Sequence, residues 1–292
     1  MKIDEFKNTI LFSPLIRIIP DRLYLRLHFR ISVGYKLNLK NPRSFNEKIQ
    51  YLKLHDRKVE YTNYVDKIEA KKYLSTAISD EYIIPTIGVY NSFDDIDFSK
   101  LPDSFVVKTS HDSGGVVVCN DKKNFDIDRA RKIINRSMKR NYFYLGREWP
   151  YKNIIPKVFV EENISKTSDI IDYKFLCFNG KVDCIFTCTN RGREGGLKVT
   201  FFDREWVRLP FIRHYPSDDN YISKPINFDK MVEITEKLCK DIAFARIDFF
   251  EVDARMYIGE ITLYPGSGFE EFTPREWDFA LGEKLDVSLF DK

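Results

Sequence analysis

Two short segments near the C-terminus hold residues whose types and spacing suit phosphate chemistry: Ala245-Arg246-Ile247-Asp248-Phe249-Phe250 and Tyr257-Ile258-Gly259-Glu260-Ile261-Thr262. Val252-Asp253-Ala254-Arg255 supplies a turn between them, so the segments are adjacent strands. Asp248 and Glu260 then sit at corresponding places and can point the same way, alternating with apolar residues that face a core. Two inward acids are costly unless something positive lies between them. A hard divalent cation such as Mg²⁺ meets that need, because it takes oxygen ligands and bridges carboxylates to nucleotide phosphates. A pair of solvent-facing strand acids is the alternative.

Three other stretches can complete a nucleotide site. Phe105-Val106-Val107-Lys108 and Val116-Val117-Val118-Cys119 are strands around a polar loop. Lys108 ends the first strand, where its ammonium can reach phosphate oxygens. The loop residues Ser113, Gly114 and Gly115 can offer backbone N–H groups and fold over a polyphosphate. This is not a Walker motif, since no Gly-Lys-Ser/Thr opens a helix; a hairpin with a purely structural Gly-Gly tip stays open. Val158-Phe159-Val160-Glu161-Glu162-Asn163-Ile164 is an apolar strand ending in two acids, suited either to an adenine edge or to plain solvation. Asp172, before the next strand, can hold ribose hydroxyls.

The elements that must position these residues are legible from pattern. Ser44-Phe45-Asn46-Glu47 is a capping box opening a helix to about Arg57. A second helix is expected over about 61–74, a short strand at Tyr82-Ile83-Ile84, and a helix capped by Asp126 to about Arg140. Asn179-Gly180 joins strands Asp172 to Phe178 and Lys181 to Thr189 as a hairpin turn. Leu197 to Phe202 and Trp206 to Ile212 suggest another strand pair, followed by a helix over about 228–243. Thr273-Pro274-Arg275-Glu276 suggests a second capping box. The fold class is α+β with mostly antiparallel sheets. Its expected divisions are an N-terminal basic helical region with a short further segment (1–80), a subdomain with the Gly-rich loop (81–165) and a C-terminal subdomain with the metal site (166–292).

Composition sets the limits. The chain has 292 residues, 43% hydrophobic and 31% charged, as in a soluble globular protein. No apolar run approaches the ~20 residues that span a membrane, and no cleavable signal is expected. Cys119, Cys177, Cys184, Cys188 and Cys239 lie mostly in strand-like runs and are expected to be reduced, buried and cytoplasmic. No nucleic acid is expected as a partner. The net charge of +3 hides a basic start: Arg17, Arg22, Arg26 and Arg30 interleave with apolar residues within residues 1–40. Such a segment can make peripheral contact with an anionic membrane, placing the protein at the inner face of the cell membrane, or can pack on the body with its basic face solvated.

Together these pieces resemble the ATP-grasp superfamily, in which two α+β subdomains clasp ATP. The order is Lys67 in an Asp-Lys pair, Lys108 before a Gly loop, Glu161-Glu162, Asp172, Arg246-x-Asp248 and Glu260-x-Thr262. More narrowly the chain resembles the ATP-grasp family of teichuronopeptide and capsular polysaccharide synthesis. Phe45-Asn46-Glu47-Lys48, Asp172-Tyr173-Lys174-Phe175, Cys177-Phe178-Asn179-Gly180 and Gly259-Glu260-Ile261-Thr262-Leu263-Tyr264-Pro265 carry that likeness.

The resemblance implies ATP and Mg²⁺ as cofactors. Lys67 and Lys108 would contact phosphates, and Glu161, Glu162, Asn163 and Ile164 adenine. Asp172 would hold ribose, and Asp248 and Glu260 the metal. Thr262 stands where the superfamily usually has Asn, as a third metal-side ligand. Arg246 would neutralise the transferring phosphoryl group, and Gly266, Ser267 and Gly268 would lie by the acceptor. The implied reaction is amide formation through an acyl phosphate between an amine donor and a sugar acid, either small or lipid-linked. Arg191 and Arg193, near a Gly-rich turn, can bind such an acid or form a solvated basic loop. A hydroxyl acceptor would make the chain a sugar kinase. Outside ATP-using enzymes, a glycosyltransferase or a non-catalytic nucleotide-binding partner of capsule assembly is the other reading.

Overall fold

A computed structural model describes residues 14–165, 170–191 and 194–290; Arg193 and residues 1–13 of the basic segment lie outside the described residues. Four helices come first: α1 (Asp21–Ser32), α2 (Phe45–His55), α3 (Tyr61–Val65) and α4 (Lys67–Ala77). The expected helix over 61–74 is split because Asp66 leaves helical geometry and its side chain accepts from the Ile68 and Glu69 N–H groups, capping α4. The capping box at Ser44 forms with both reciprocal bonds. The following residues clamp the two ends of the chain together. Asn46 donates to Asp278 from its backbone and side chain, and Lys48 donates to the Gly282 and Leu285 carbonyls.

The first sheet contains β1 (Thr86–Tyr90), β2 (Phe105–Thr109), β3 (Val116–Cys119) and β4 (Val158–Glu162), in the order β1-β4-β2-β3. Phe105, Val107, Cys119, Val158 and Val160 bury one face against Phe93 and against Ala130 and Ile134 of helix α5 (Ile127–Met138). Alternation sends Val106, Lys108, Phe159, Glu161, Val116 and Val118 to the other face. The strand expected at 82–84 is only an isolated bridge from Ile83 to Ile258, with β1 starting after Pro85. Lys71 takes the Ile84 carbonyl and proline has no N–H to offer a ladder.

After the short helix α6 (Phe143–Gly146) and β4, the second sheet is built from β5 (Asp172–Phe178), β6 (Lys181–Thr189), β7 (Lys198–Asp203), β9 (Phe244–Val252) and β10 (Arg255–Thr262), in the order β10-β9-β5-β6-β7. Helix α7 (Phe228–Leu238) covers its apolar face, where Phe175 meets Phe228 and Phe249. A separate pair joins β8 (Ile212–Arg213) to β11 (Phe272–Thr273), before helix α8 (Glu276–Glu283).

Three boundaries differ from the pattern-based reading. Residues 206–212 do not form a long strand, because the Asp203 carboxylate accepts from the Glu205 and Val207 N–H groups and makes a turn. The helix expected over 228–243 ends at Leu238, where the chain turns toward β9. Thr273 does not cap a helix: it pairs with Ile212, and α8 begins at Glu276 without a side-chain cap. All five cysteines are free and buried. Among the described residues no helix is long and apolar enough to cross a membrane.

Candidate nucleotide and metal site

The β9–β10 hairpin turns through Asp253 and Ala254, both left-handed (φ 52° and 60°), the geometry of a two-residue turn that matches strand twist. Pairing from that turn sets Ile258 opposite Phe249, on the apolar face. A β-bulge at Gly259 then shifts the register, so that Glu260 lies opposite Asp248 and Thr262 opposite Arg246. The extra residue turns Glu260 and Thr262 to the polar face. Gly259 is required there by close approach: a Cβ would come within 2.6 Å of the Phe250 ring. Gly259→Val is expected to cost about 1–3 kcal/mol and to re-aim Glu260, seen as a lower urea midpoint with a larger loss of turnover. A variant unchanged in both would show that the bulge does not depend on glycine.

Across β9, Lys174 of β5 lies opposite Asp248. Lys174, Asp248 and Glu260 thus form one rung across three strands. Lys174 Nζ donates to Asp248 Oδ2. Arg246 grips the same carboxylate with two bonds, Nε to Oδ1 at 2.6 Å and Nη2 to Oδ2 at 2.7 Å. Burial would raise the Asp248 carboxyl, but Arg246 and Lys174 outweigh it and hold it below the usual range. Burial would lower Lys174, and Asp248 and Asp172 overcome that as well. Thr262 Oγ1 is buried with no hydrogen-bond partner. Lys174, Arg246 and Arg191 match the three carboxylates here (Asp172, Asp248, Glu260) in number, but all three pair with Asp172 or Asp248, and Glu260 is left without an ion pair among the described residues. That donor set fits a hard divalent cation. Among the described residues no group of three His, Cys, Asp or Glu could hold a metal alone, so the remaining ligands must come from elsewhere, as phosphate oxygens do.

The first sheet presents a second charged cluster. Glu161, 2% exposed, is held by Lys71 at 2.6 Å and by Lys108. Burial would raise its carboxyl, but the two ammonium groups hold it below the usual range. Its oxygens are engaged by the lysines rather than turned toward an adenine amino group. Because its folded value lies below its unfolded one, this carboxylate gives stability that is present above about pH 4.3 and lost as pH falls through the folded value. Glu161→Gln is expected to flatten the fall of melting temperature between about pH 5 and 3; an unaltered acid limb would remove this group from the balance. On the same face, Val116 and Val118 are exposed on the edge strand β3 (41% and 53%), and Val89 on the opposite edge strand β1 (45%).

Lys67 Nζ donates to the Asp112 carbonyl, and its backbone N–H to the Ser110 carbonyl, so α4 holds the root of the Gly loop. The Asp112 carboxylate accepts from Thr109 and Ser137 hydroxyls, each at 2.5 Å. Ser113 and Gly114 form the exposed tip, and Gly115 is buried. The Tyr142 phenol is pushed up by burial and by the charges of Glu148, Glu260 and Asp112. Asn163 donates to Ser104, Cys119 and Asn120, tying β4 to β3; Glu162 is exposed and Ile164 half-buried beside it. Arg191 binds Asp172 at 2.7 Å, so these two expected ligands of different partners are paired with each other.

Gly266, Ser267 and Gly268 run left-handed (φ 55°, 54° and 61°). Their turn is pinned from beneath: Arg213 takes the Pro265 carbonyl, Lys53 the Ser267 carbonyl, and Gln50 those of Ser267 and Gly268. Sequence reasoning missed Lys71, Lys174, Lys53 and Glu148. Lys71 lies one helical turn beyond Lys67, the one signal that could have found it.

Two α+β lobes, a strand-end lysine before a glycine loop and paired carboxylates on a hairpin define an ATP-grasp fold. The chain belongs to the TupA-like ATP-grasp family, whose profile matches residues 47–286. It is similar to D-alanine–D-alanine ligase from Bacillus anthracis complexed with ATP, at 17% identity and a TM-score of 0.39, over 69% of this chain and 54% of that one. An L-amino acid ligase from Bacillus licheniformis gives 14% identity and a TM-score of 0.45, over 76% and 49%. The ATP-grasp ligase PsnB with minimal precursor, Mg and ADP gives 11% and 0.43, over 82% and 64%. The chain spans about half the length (54%) of the first of these ligases. No curated protein matches it.

Proposed function

We propose that this chain is an ATP-dependent carboxylate–amine ligase, whose acceptor is a hexuronic acid of a surface polysaccharide or its nucleotide- or lipid-linked precursor. The Lys174–Asp248–Glu260 rung beside the unpartnered Thr262 hydroxyl carries the reading. Asp248 and Glu260 would hold Mg²⁺, with the unpartnered Thr262 hydroxyl beside them, and the ion would supply charge neutralisation at the phosphoryl oxygens. The purine lies beside Val116 and Val118 of β3, and the phosphates pass Lys71 and Lys108, which exchange part of their hold on Glu161 for phosphate. Arg246 neutralises the oxygens of the transferring group as the acceptor carboxylate attacks the γ-phosphate. The Gly loop closes over the resulting acyl phosphate and excludes water. The carboxylate's attack expels ADP; an amine then attacks the acyl carbon of the acyl phosphate, expelling phosphate and losing a proton to give the amide. The uronic acid rests on the family resemblance; the amine is an amino acid or amino sugar.

Lys108→Ala removes one charge-assisted phosphate contact, worth about 1.5–3 kcal/mol, so the KM for ATP is expected to rise about 10- to 100-fold. Unchanged kinetics would make the loop structural. The whole reading is tested by ADP release from Mg-ATP with pooled uronic-acid sugar nucleotides, with and without pooled amines, and product masses. Release that needs both pools, with a condensation product, establishes the ligase; a phosphate-sized gain without amine replaces it with a kinase.

A further inference from the structure

Helix α1 is amphipathic twice over. Tyr24, Leu25 and Phe29 are buried against the body, and His28 stacks on Phe269 with ring centroids 3.8 Å apart. Arg147, itself 1% exposed, fixes the start of this segment by donating to the Ile16 and Ile19 carbonyls and pairing with Asp21. With that side fixed, Leu23, Leu27 and Ile31 remain outside at 49%, 51% and 55% exposure, and Ile18 before the helix at 80%. Arg22, Arg26 and Arg30 are exposed too. At 100° per residue the two sets of three form neighbouring stripes, each about 80° wide, one apolar and one cationic. The only acid of the helix, Asp21, is engaged by Arg57 and Arg147. The outward face of the helix is therefore apolar and positive, and none of the helix's own residues puts a negative charge on it.

We infer that this face docks on an anionic lipid bilayer. Leu23, Leu27 and Ile31 enter the acyl boundary while Arg22, Arg26 and Arg30 lie along the lipid phosphates. A second copy of this chain fits less well, since a two-fold contact would set arginine stripe near arginine stripe. Through His28 and Phe269, docking brings the Gly266–Gly268 turn to within about one helix diameter, ~10 Å, of the headgroups. That last consequence, access to a lipid-linked acceptor, rests on the ligase reading; the docking itself does not.

The full chain is tested by co-sedimentation with phosphatidylcholine vesicles, with and without phosphatidylglycerol, at low and high salt. Binding is expected only with phosphatidylglycerol and is expected to weaken as salt rises. Arg26→Gln with Arg30→Gln should weaken it roughly 30-fold, and Leu23→Ser with Leu27→Ser should abolish insertion while leaving the melting curve in place, since both side chains are exposed. Failure of the full chain to bind anionic vesicles, or equal binding by either double variant, overturns the docking. So does a dimer in solution that the leucine variant converts to monomer. ADP release, measured in parallel with soluble substrates, reports the ligase reading separately.

Discussion

Glu260→Gln is expected to lower Mg²⁺-dependent ADP release by about a thousandfold while leaving stability within about 0.5 kcal/mol. Charge stabilisation by a catalytic cation is worth several kcal/mol, and ~4 kcal/mol is three decades in rate. Glutamine keeps the shape of the side chain but offers the cation a neutral oxygen. Glu260 is the better probe of the two carboxylates. It is half-buried, and among the described residues its side chain makes no hydrogen bond or ion pair. Asp248 is 3% exposed and clasped by Arg246 and Lys174. Asp248→Asn would leave two buried cations without their counterion, a cost of ~3–5 kcal/mol that mixes misfolding with lost catalysis. A folded Glu260→Gln variant that kept its Mg²⁺-dependent turnover would sink the metal assignment.

The strand hairpin was legible because its residues alternate and its turn is polar. The device that aligns the two acids was not. A two-residue turn at Asp253-Ala254 pairs Val252 with Arg255, and unbroken pairing from there would set Gly259, not Glu260, opposite Asp248. The bulge restores the match, and a glycine in a strand announces a bulge only once the pairing is known. Lys174 escaped notice for a related reason: it lies between Tyr173 and Phe175, in a strand otherwise almost wholly buried, where a charge makes sense only opposite its partner on β9. The motif Phe45-Asn46-Glu47-Lys48 was legible as a helix start, yet its work is to bind the C-terminal helix 230 residues on, a contact no local pattern encodes. Charges held by local geometry can be read from sequence; charges balanced between strands far apart in the chain cannot.

The largest loss of stability is expected for Lys53→Met, about 3–5 kcal/mol in urea unfolding, with the turn at Gly266–Gly268 loosened at the same time. Lys53 is wholly buried, yet its ammonium meets four oxygens: Gln50 Oε1 at 3.0 Å, the Gly146 carbonyl at 2.7 Å, the Ser267 carbonyl at 2.6 Å and Ser267 Oγ at 3.0 Å. It also sits 4.5 Å from the centre of the Phe269 ring. Burial pushes it down to about 7, and the Glu148 carboxylate opposes that shift. Glu148 is pushed up by its own burial and held down by Lys53 and by a bond from Ser267. Each charge is therefore tolerated because of the other, with Ser267 between them. Methionine fills the space but leaves Glu148 without the Lys53 charge, the Gly146 carbonyl without the ammonium and the Ser267 carbonyl with Gln50 as its remaining donor, and a buried uncompensated carboxylate is costly. Glu148→Gln in the same chain removes that orphan, so the double variant should recover a large part of the loss. If the two losses simply add, Lys53 and Glu148 are independent and the turn is held by Gln50 and Arg213 alone. Recovery of stability without recovery of acceptor KM would assign the pair a second task, setting the left-handed turn where the acceptor must lie.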